Sequence, residues 1–261
     1  MRLAAALSGL HITGELKRLP GADCRYLTAS LSPAKGCRQS VLRGAVVSVK
    51  GPRPNNEDSA AVAVKADAGA TYVLIAVADG VGGKERGEVA SAAAICYALY
   101  HFYAHDSYDE GWLIDLFNNA HEAVKRTSQG GATTLTVGVA DLTRGVVMVG
   151  NVGDSPLYMI NPAYKSIADL TPNRDEYEKY ITQAVGDRSY RGPHILKTSI
   201  PGIRRMILLG VTDGVDDYIN RAAYLAAAHA STPMVYACAL MKEVKGKTRD
   251  NATAAAVYLW P

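Results

Sequence analysis

A chain of 261 residues with 48% hydrophobic content is long enough to fold as one domain around a sizeable core. Its net charge of +3 comes with no basic run and no aromatic-interleaved basic stripe, which argues against nucleic acid as a partner. No segment is long and apolar enough to span a bilayer, and Cys24, Cys37, Cys96 and Cys238 are too dispersed for a zinc cage.

The first ten residues carry one charge and a short apolar stretch that imitates a secretory leader. That stretch breaks at Ser8-Gly9, and Glu15, Lys17 and Arg18 follow, so no leader is expected. Residues 10–39 mix turn residues with scattered apolar ones, without a clear period or an assignable role. Beyond them the order is strands, helices, strands, the order of a layered α+β domain rather than an alternating βαβ fold. Residues 59–65 and 71–78 predict a hairpin, and two helices are expected over 87–104 and 109–128. On the first helix Val89, Ala93, Tyr97, Tyr100 and Tyr103 fall at helical spacing and read as a core or boundary face. Strands are expected over 132–140, 145–151 and 156–160, then a helix over 174–183, strands over 194–199 and 204–211, short helices to about 242, and a last strand over 252–260.

Acidic turns stand at the ends or starts of these apolar runs: Asn55-Asn56-Glu57-Asp58, Ala78-Asp79-Gly80, Gly153-Asp154-Ser155, Thr212-Asp213-Gly214 and Arg249-Asp250-Asn251. Each alone reads as an ordinary turn, because Asp and Gly suit turns. Gathered at one sheet rim, the carboxylates would repel one another, and a hard divalent cation is the natural counter-charge. Oxygen ligands favour magnesium or manganese over zinc. Glu57 and Asp58 are neighbours, so both face such a site only if the backbone turns there, which Asn55-Asn56 permits.

The order Arg53-x-x-Asn56-Glu57-Asp58, Val77-Ala78-Asp79-Gly80-Val81-Gly82-Gly83, Gly131-Ala132-Thr133-Thr134, Asn151-Val152-Gly153-Asp154-Ser155, Thr212-Asp213-Gly214 and Asp250-Asn251-Ala252-Thr253 resembles the metal-dependent serine/threonine protein phosphatases of type 2C, the PPM family. The resemblance runs from about Arg43 to Trp260 and implies an α+β, four-layer αββα sandwich: two antiparallel sheets flanked by helices, with the site at one sheet edge. It divides the chain into an N-terminal extension, 1–41, and a phosphatase-like domain, 42–261. The implied reaction is hydrolysis of phosphoserine and phosphothreonine in proteins by metal-activated water at a binuclear Mn2+ or Mg2+ centre. By resemblance Asp79 bridges the two ions, the Gly80 carbonyl and Glu57 serve the second, and Asp213 and Asp250 hold the first. Asp58 orients metal-bound water, Asn251 supports the Asp250 loop, and Arg53 binds the phosphate through a guanidinium matched to two oxygens. Asp154 and Asp217, with Asp213, match positions that take a third, weaker ion, although Asp216 could stand in for Asp217. The Gly131–Thr134 segment reads as a close-packed strand start rather than a ligand.

The implied partners are a phosphorylated protein and an opposing serine/threonine kinase, with no nucleic acid and no membrane. The dispersed thiols suggest a cytoplasmic location. Val81 stands where many animal and plant members carry histidine, a pattern shared with bacterial members. Pro156 replaces a common arginine, and the connection from Asp169-Leu170-Thr171 to Thr182 has room for a shortened flap only. Two other readings are weighed. A catalytically weak or inactive module that binds a phosphoprotein or kinase usually loses metal carboxylates, and this chain keeps them. A nucleotide-binding loop at Gly80-Val81-Gly82-Gly83-Lys84 lacks the hydroxyl residue required after its lysine.

Overall fold

The computed structural model describes residues 12–18, 25–31, 43–67, 69–82, 86–172, 181–201 and 205–259. Along them run β1 (Ile12–Arg18), β2 (Arg25–Leu31), β3 (Arg43–Val49), β4 (Asp58–Asp67), β5 (Ala70–Asp79), α1 (Gly87–Ala104), α2 (Glu110–Ser128), β6 (Leu135–Asp141), β7 (Val146–Val152), β8 (Leu157–Asn161) and β9 (Ser166–Asp169). There follow β10 (His194–Ser199), β11 (Met206–Val211), α3 (Asp213–Asp216), α4 (Arg221–Ala227), α5 (Pro233–Val244) and β12 (Ala252–Leu259). The strands make a seven-stranded sheet in the order β1-β2-β3-β12-β11-β8-β9 and a five-stranded sheet in the order β10-β7-β6-β5-β4. All pairings are antiparallel.

Period-2 alternation explains the layering, because both faces of the central strands are buried and each face belongs to a different core. On β5, Leu74, Ala76 and Ala78 pack with the α1 and α2 residues, while Val73, Ile75 and Val77 enter the core between the sheets. On β11, Ile207, Leu209 and Val211 meet the α5 side, whereas Met206 and Leu208 turn inward. On β12, Ala254, Ala256 and Tyr258 face the helices and Ala255, Val257 and Leu259 the opposing sheet. The result is the expected αββα sandwich of helix, sheet, sheet and helix layers. No helix among the described residues is long and apolar enough to cross a membrane.

The helix bounds 87–104 match α1, and Asp109 caps α2 by accepting the Trp112 N–H at 2.8 Å. The face of α1 is corrected in part, since Ala93, Tyr97 and Tyr103 do pack at the boundary of the core. Its buried side is Ala90, Ala94, Ile95, Ala98, His101 and Phe102, one step around from the predicted stripe, and Tyr100 is 67% exposed. Small alanines allow close approach to the sheet and to α2, and the bulky Tyr97 and Tyr103 pack at the margin of that contact. The strand expected from 132 begins at Leu135, because Thr133 is drawn into bridges with Gly80 and Val185 instead. β9 is an addition, four residues long and too short to show a period. The residues without a clear period contribute β1 and β2, which extend the seven-stranded sheet at β3. The helix expected over 174–183 lies mostly outside the described residues, and 181–183 are not helical. Cys24 and Cys37 lie outside them too, while Cys96 is exposed and Cys238 is half-buried against the Met234 sulfur.

The layer of α2 on the five-stranded sheet depends on Phe117, fully buried against Gly150, where an added Cβ would come within 2.6 Å of the Phe117 ring. Phe117→Ala is expected to cost about 3–5 kcal/mol in urea unfolding, the range for truncating a buried aromatic in a core that relaxes little. A loss below about 1 kcal/mol would contradict this packing.

Candidate active site

Antiparallel pairing gathers the acidic turns. The start of β4 and the end of β5 lie at one rim of the five-stranded sheet, where Asp58 stands directly opposite Asp79 in the register. Asp79 shares the parity of Val73, Ile75 and Val77, and Asp58 that of Ala60, Val62 and Val64, so both carboxylates point toward the gap between the sheets. From the other sheet, the end of β11 delivers Asp213 at the start of α3, and the start of β12 follows Asp250 and Asn251.

Hydroxyl residues fix these acids. Thr212 donates to Asp58 Oδ2 at 2.9 Å, and its own Oγ1 accepts the Thr253 N–H at 3.0 Å. The Asp79 backbone is held on both sides: its N–H is accepted by Thr134 Oγ1 at 2.9 Å, and its carbonyl accepts Thr133 Oγ1 at 2.8 Å and the Thr134 N–H at 2.8 Å. Ser155, beside Asp154, bonds Thr134 Oγ1 at 2.8 Å. The Gly131–Thr134 segment therefore positions Asp79, a role its packing alone did not reveal.

Asn251 does more than support its own loop. Its N–H meets Asp250 Oδ1 at 2.7 Å, its amide donates to the Lys50 and Asn55 carbonyls at 2.7 and 2.8 Å, and its Oδ1 accepts the Glu57 N–H at 2.9 Å. One side chain thus ties the Glu57 loop to the Asp250 loop. Asn56 Oδ1 accepts the Asp58 N–H at 3.2 Å and closes the turn that lets adjacent acids serve one rim. Two glycines permit close approach. A Cβ on Gly80 would lie 2.6 Å from the Gly87 carbonyl and 2.9 Å from Glu57 Cβ; on Gly214 it would lie 1.8 Å from the Asn251 carbonyl oxygen. The Glu57 side chain rests against Gly87 at the start of α1, where the helix end favours negative charge.

Among the described residues the electrostatics are those of an acidic cluster short of positive charge. Burial pushes Asp58 up to about 7, with Asp213 and Asp250 adding to the rise and the Thr253 and Thr212 bonds opposing it. Asp79 is held well above the usual carboxylate range by burial, then by Asp58, Asp213 and Asp154. Its carboxyl bonds that of Asp213, which is also raised, chiefly by burial. Glu57 and Asp217 are raised by burial and by neighbouring acids. Arg53 supplies cationic charge: Nη2 reaches Asp250 Oδ2 at 2.5 Å, and Nε donates to the Arg249 carbonyl at 3.4 Å.

These acids occupy one rim. The charge of Asp154 acts on Asp79, and that of Asp217 acts on Asp213. Asp216 turns away, accepting the Tyr158 and Tyr224 hydroxyls, so of the two neighbours Asp217 is the one on the cluster side. Among the described residues no group of three or more His, Cys, Asp or Glu side chains already has the arrangement of a metal cage. The donor set nevertheless fits a hard divalent cation, because it offers carboxylate oxygens and two of them, Asp58 Oδ1 and Asp213 Oδ1, are buried with no hydrogen-bond partner among the described residues. The flap region falls largely in 173–180, outside the described residues.

The raised groups fix a pH dependence. Each binds its proton more tightly folded than unfolded, so the stability they lend the metal-free protein is full below about pH 4 and is lost as pH rises through about 7, the value for Asp58. A bound cation favours the ionised forms and reverses this loss. Manganese is therefore expected to raise Tm more at pH 8 than at pH 5.5 in scanning calorimetry; an equal rise at both would contradict the description of the cluster.

Comparison with known proteins agrees with the geometry. The family model for protein phosphatase 2C matches residues 53–246. Similar solved structures include the serine/threonine phosphatase Stp1 from Staphylococcus aureus, 19% identical over 87% of this chain and 100% of that one, TM-score 0.71. The PPM Ser-Thr phosphatase MsPP from Mycobacterium smegmatis, in complex with cacodylate, is 27% identical over 82% and 97%, TM-score 0.62. The catalytic domain of the serine/threonine protein phosphatase PstP, in complex with two manganese ions, is 22% identical over 84% and 99%, TM-score 0.64. No curated protein matches the chain. With the family model spanning most of its length and the acidic rim at the edge of two stacked antiparallel sheets, the chain belongs to the protein phosphatase 2C family of serine/threonine phosphatases.

Proposed function

We propose that the chain hydrolyses phosphoserine and phosphothreonine in proteins with two divalent cations, manganese or magnesium, at the rim between its sheets. The observation that carries this reading is the Asp58, Asp79 and Asp213 cluster, whose carboxyls are raised by burial and by one another and include two unpartnered buried oxygens. The manganese bound by PstP supports the choice of ion. Asp79, the Gly80 carbonyl and Glu57 would hold one cation, and Asp79, Asp213 and Asp250 the other. Asp154 and Asp217 with Asp213 would hold a third, weaker one. Bound there, the cations supply Lewis acidity, which makes water a nucleophile near neutral pH and offsets the charge of the phosphate.

The remaining work falls to the chain. Thr212 holds Asp58 Oδ2, which leaves Oδ1 to accept a hydrogen bond from the attacking water and orient it. Arg53 grips two phosphate oxygens and must leave Asp250 to do so. Val81 offers no proton, so the leaving serine or threonine oxygen takes its proton from water or another acid. We assign 42–261 to the phosphatase unit and 1–41 to an extension of unassigned role. A phosphoprotein substrate, an opposing serine/threonine kinase and a cytoplasmic location belong to the same reading. The exposed Cys96 thiol suits a reducing compartment.

The test is turnover of phosphoserine and phosphothreonine peptides with and without manganese. Manganese should support hydrolysis and EDTA abolish it. Asp79→Asn should lower kcat at least about a hundredfold, as loss of a charged metal ligand implies. Arg53→Ala should mainly raise KM, because it removes a phosphate contact and leaves the metal ligands in place. Activity that survives complete chelation, or near-normal turnover by Asp79→Asn, would overturn the reading.

A further inference from the structure

Asp216 lies between two residues of the acidic rim's helix yet faces the other way. Its Oδ1 accepts the Tyr158 hydroxyl at 2.9 Å and the Tyr224 hydroxyl at 2.8 Å, and its Oδ2 lies 3.0 Å from Tyr158 Oη. Tyr224 is 3% exposed, its ring lies 5.5 Å from that of Tyr158, and its backbone carbonyl accepts the Tyr236 hydroxyl at 3.3 Å. These bonds join α3 to β8 and α4, and through Tyr236 to α5.

The connection matters because α3 spans only four residues, Asp213–Asp216, far too few to be stable without tertiary support. It begins with Asp213, and Asp217 follows it directly. Tyr158 stands four residues after Asp154 on β8 and is paired with Leu209 of β11, itself four residues before Asp213. The Tyr158–Asp216 bond therefore spans the two arms that bring Asp154 and the α3 acids to the rim. Just beyond α3, the Tyr218 hydroxyl oxygen accepts the Arg249 N–H at 3.3 Å, so the placement of this segment extends to the loop of Asp250. Burial and the adjacent Asp216 charge raise Tyr224 well above its ordinary value, which keeps it a hydroxyl donor at any working pH.

We propose that Asp216, Tyr158 and Tyr224 are positioning residues that seat α3 on β8 and α4 and so fix Asp213 and Asp217 relative to Asp154 for cation binding. The proposal rests on the metal-dependent reading above. It assigns a task to a half-buried carboxylate that turns away from the acidic rim, and it explains why two adjacent aspartates in one turn serve opposite sides.

The test is calorimetric titration with manganese alone at a temperature well below unfolding, on wild type, Tyr158→Phe, Tyr224→Phe and the double variant, with Tm measured for each. Tyrosine variants carry the test because they keep the ring and the net charge; Asp216→Asn would weaken cation binding simply by removing a negative charge. Loss of hydrogen bonds to a charged group should weaken manganese binding by about tenfold in the double variant. A merely structural contact would lower Tm and leave the folded protein's affinity unchanged, and that result would overturn the proposal. Tyr158 is half-buried, so Tyr158→Phe decides the question should variants at Tyr224 fail to fold. Wild type that binds no manganese would instead refute the metal reading itself, and the proposal with it.

Discussion

Two carboxylates face each other across the β4–β5 hairpin, Asp58 opposite Asp79, and a third from the other sheet, Asp213, bonds to Asp79. Like charges directly opposite on neighbouring strands are destabilising, and burial makes them more so. The arrangement persists because the sandwich around it is over-determined. Strands buried on both faces supply the stability, and Thr212, Thr253, Thr133, Thr134 and Asn251 hold the acidic ends in place through hydrogen bonds that use hydroxyls, an amide and the backbone. The cluster is thus kept in a state that protonation or a cation relieves. An enzyme that must gather negative ligands around a negative phosphate needs such a state.

Arg53 shows the same constraint from the other side. Asp250 takes the guanidinium as its partner at 2.5 Å, with the Arg53 side chain 43% exposed. In the proposed reading, where Asp250 would hold a cation and Arg53 a phosphate, occupancy of the metal position and freedom of the arginine are linked. Asn251, which bonds to the loops on both sides, ties Glu57 to Asp250.

Much of this was legible in the chain because the strongest elements announce themselves by period. The α1 bounds follow from the alanine-rich stretch, α2 from its Asp109 cap, and β5, β11 and β12 from unbroken apolar runs that end or begin at acids. What escaped depends on partners that a period cannot report. β9 is too short to alternate, and the rotation of α1 that leaves Tyr100 exposed is set by how closely α2 and the sheet approach. The hydroxyls of Thr133, Thr134 and Ser155 are ordinary residues until pairing places them on Asp79. The only signal available was their position, as polar residues interrupting apolar runs at strand ends. Asp216 and Asp217 are indistinguishable by spacing, and it is the two tyrosines, distant in sequence, that separate them.

The central claim is that this rim is built to hold divalent cations between the two sheets. Its most direct measurement is anomalous diffraction from crystals grown with manganese. The account predicts at least two peaks, one on either side of Asp79, with Asp213 and Asp250 against one and Glu57 against the other, and with Arg53 released from Asp250. Crystals with manganese in the mother liquor but no anomalous peak at the rim, and with Asp79 still bonded to Asp213, would contradict it.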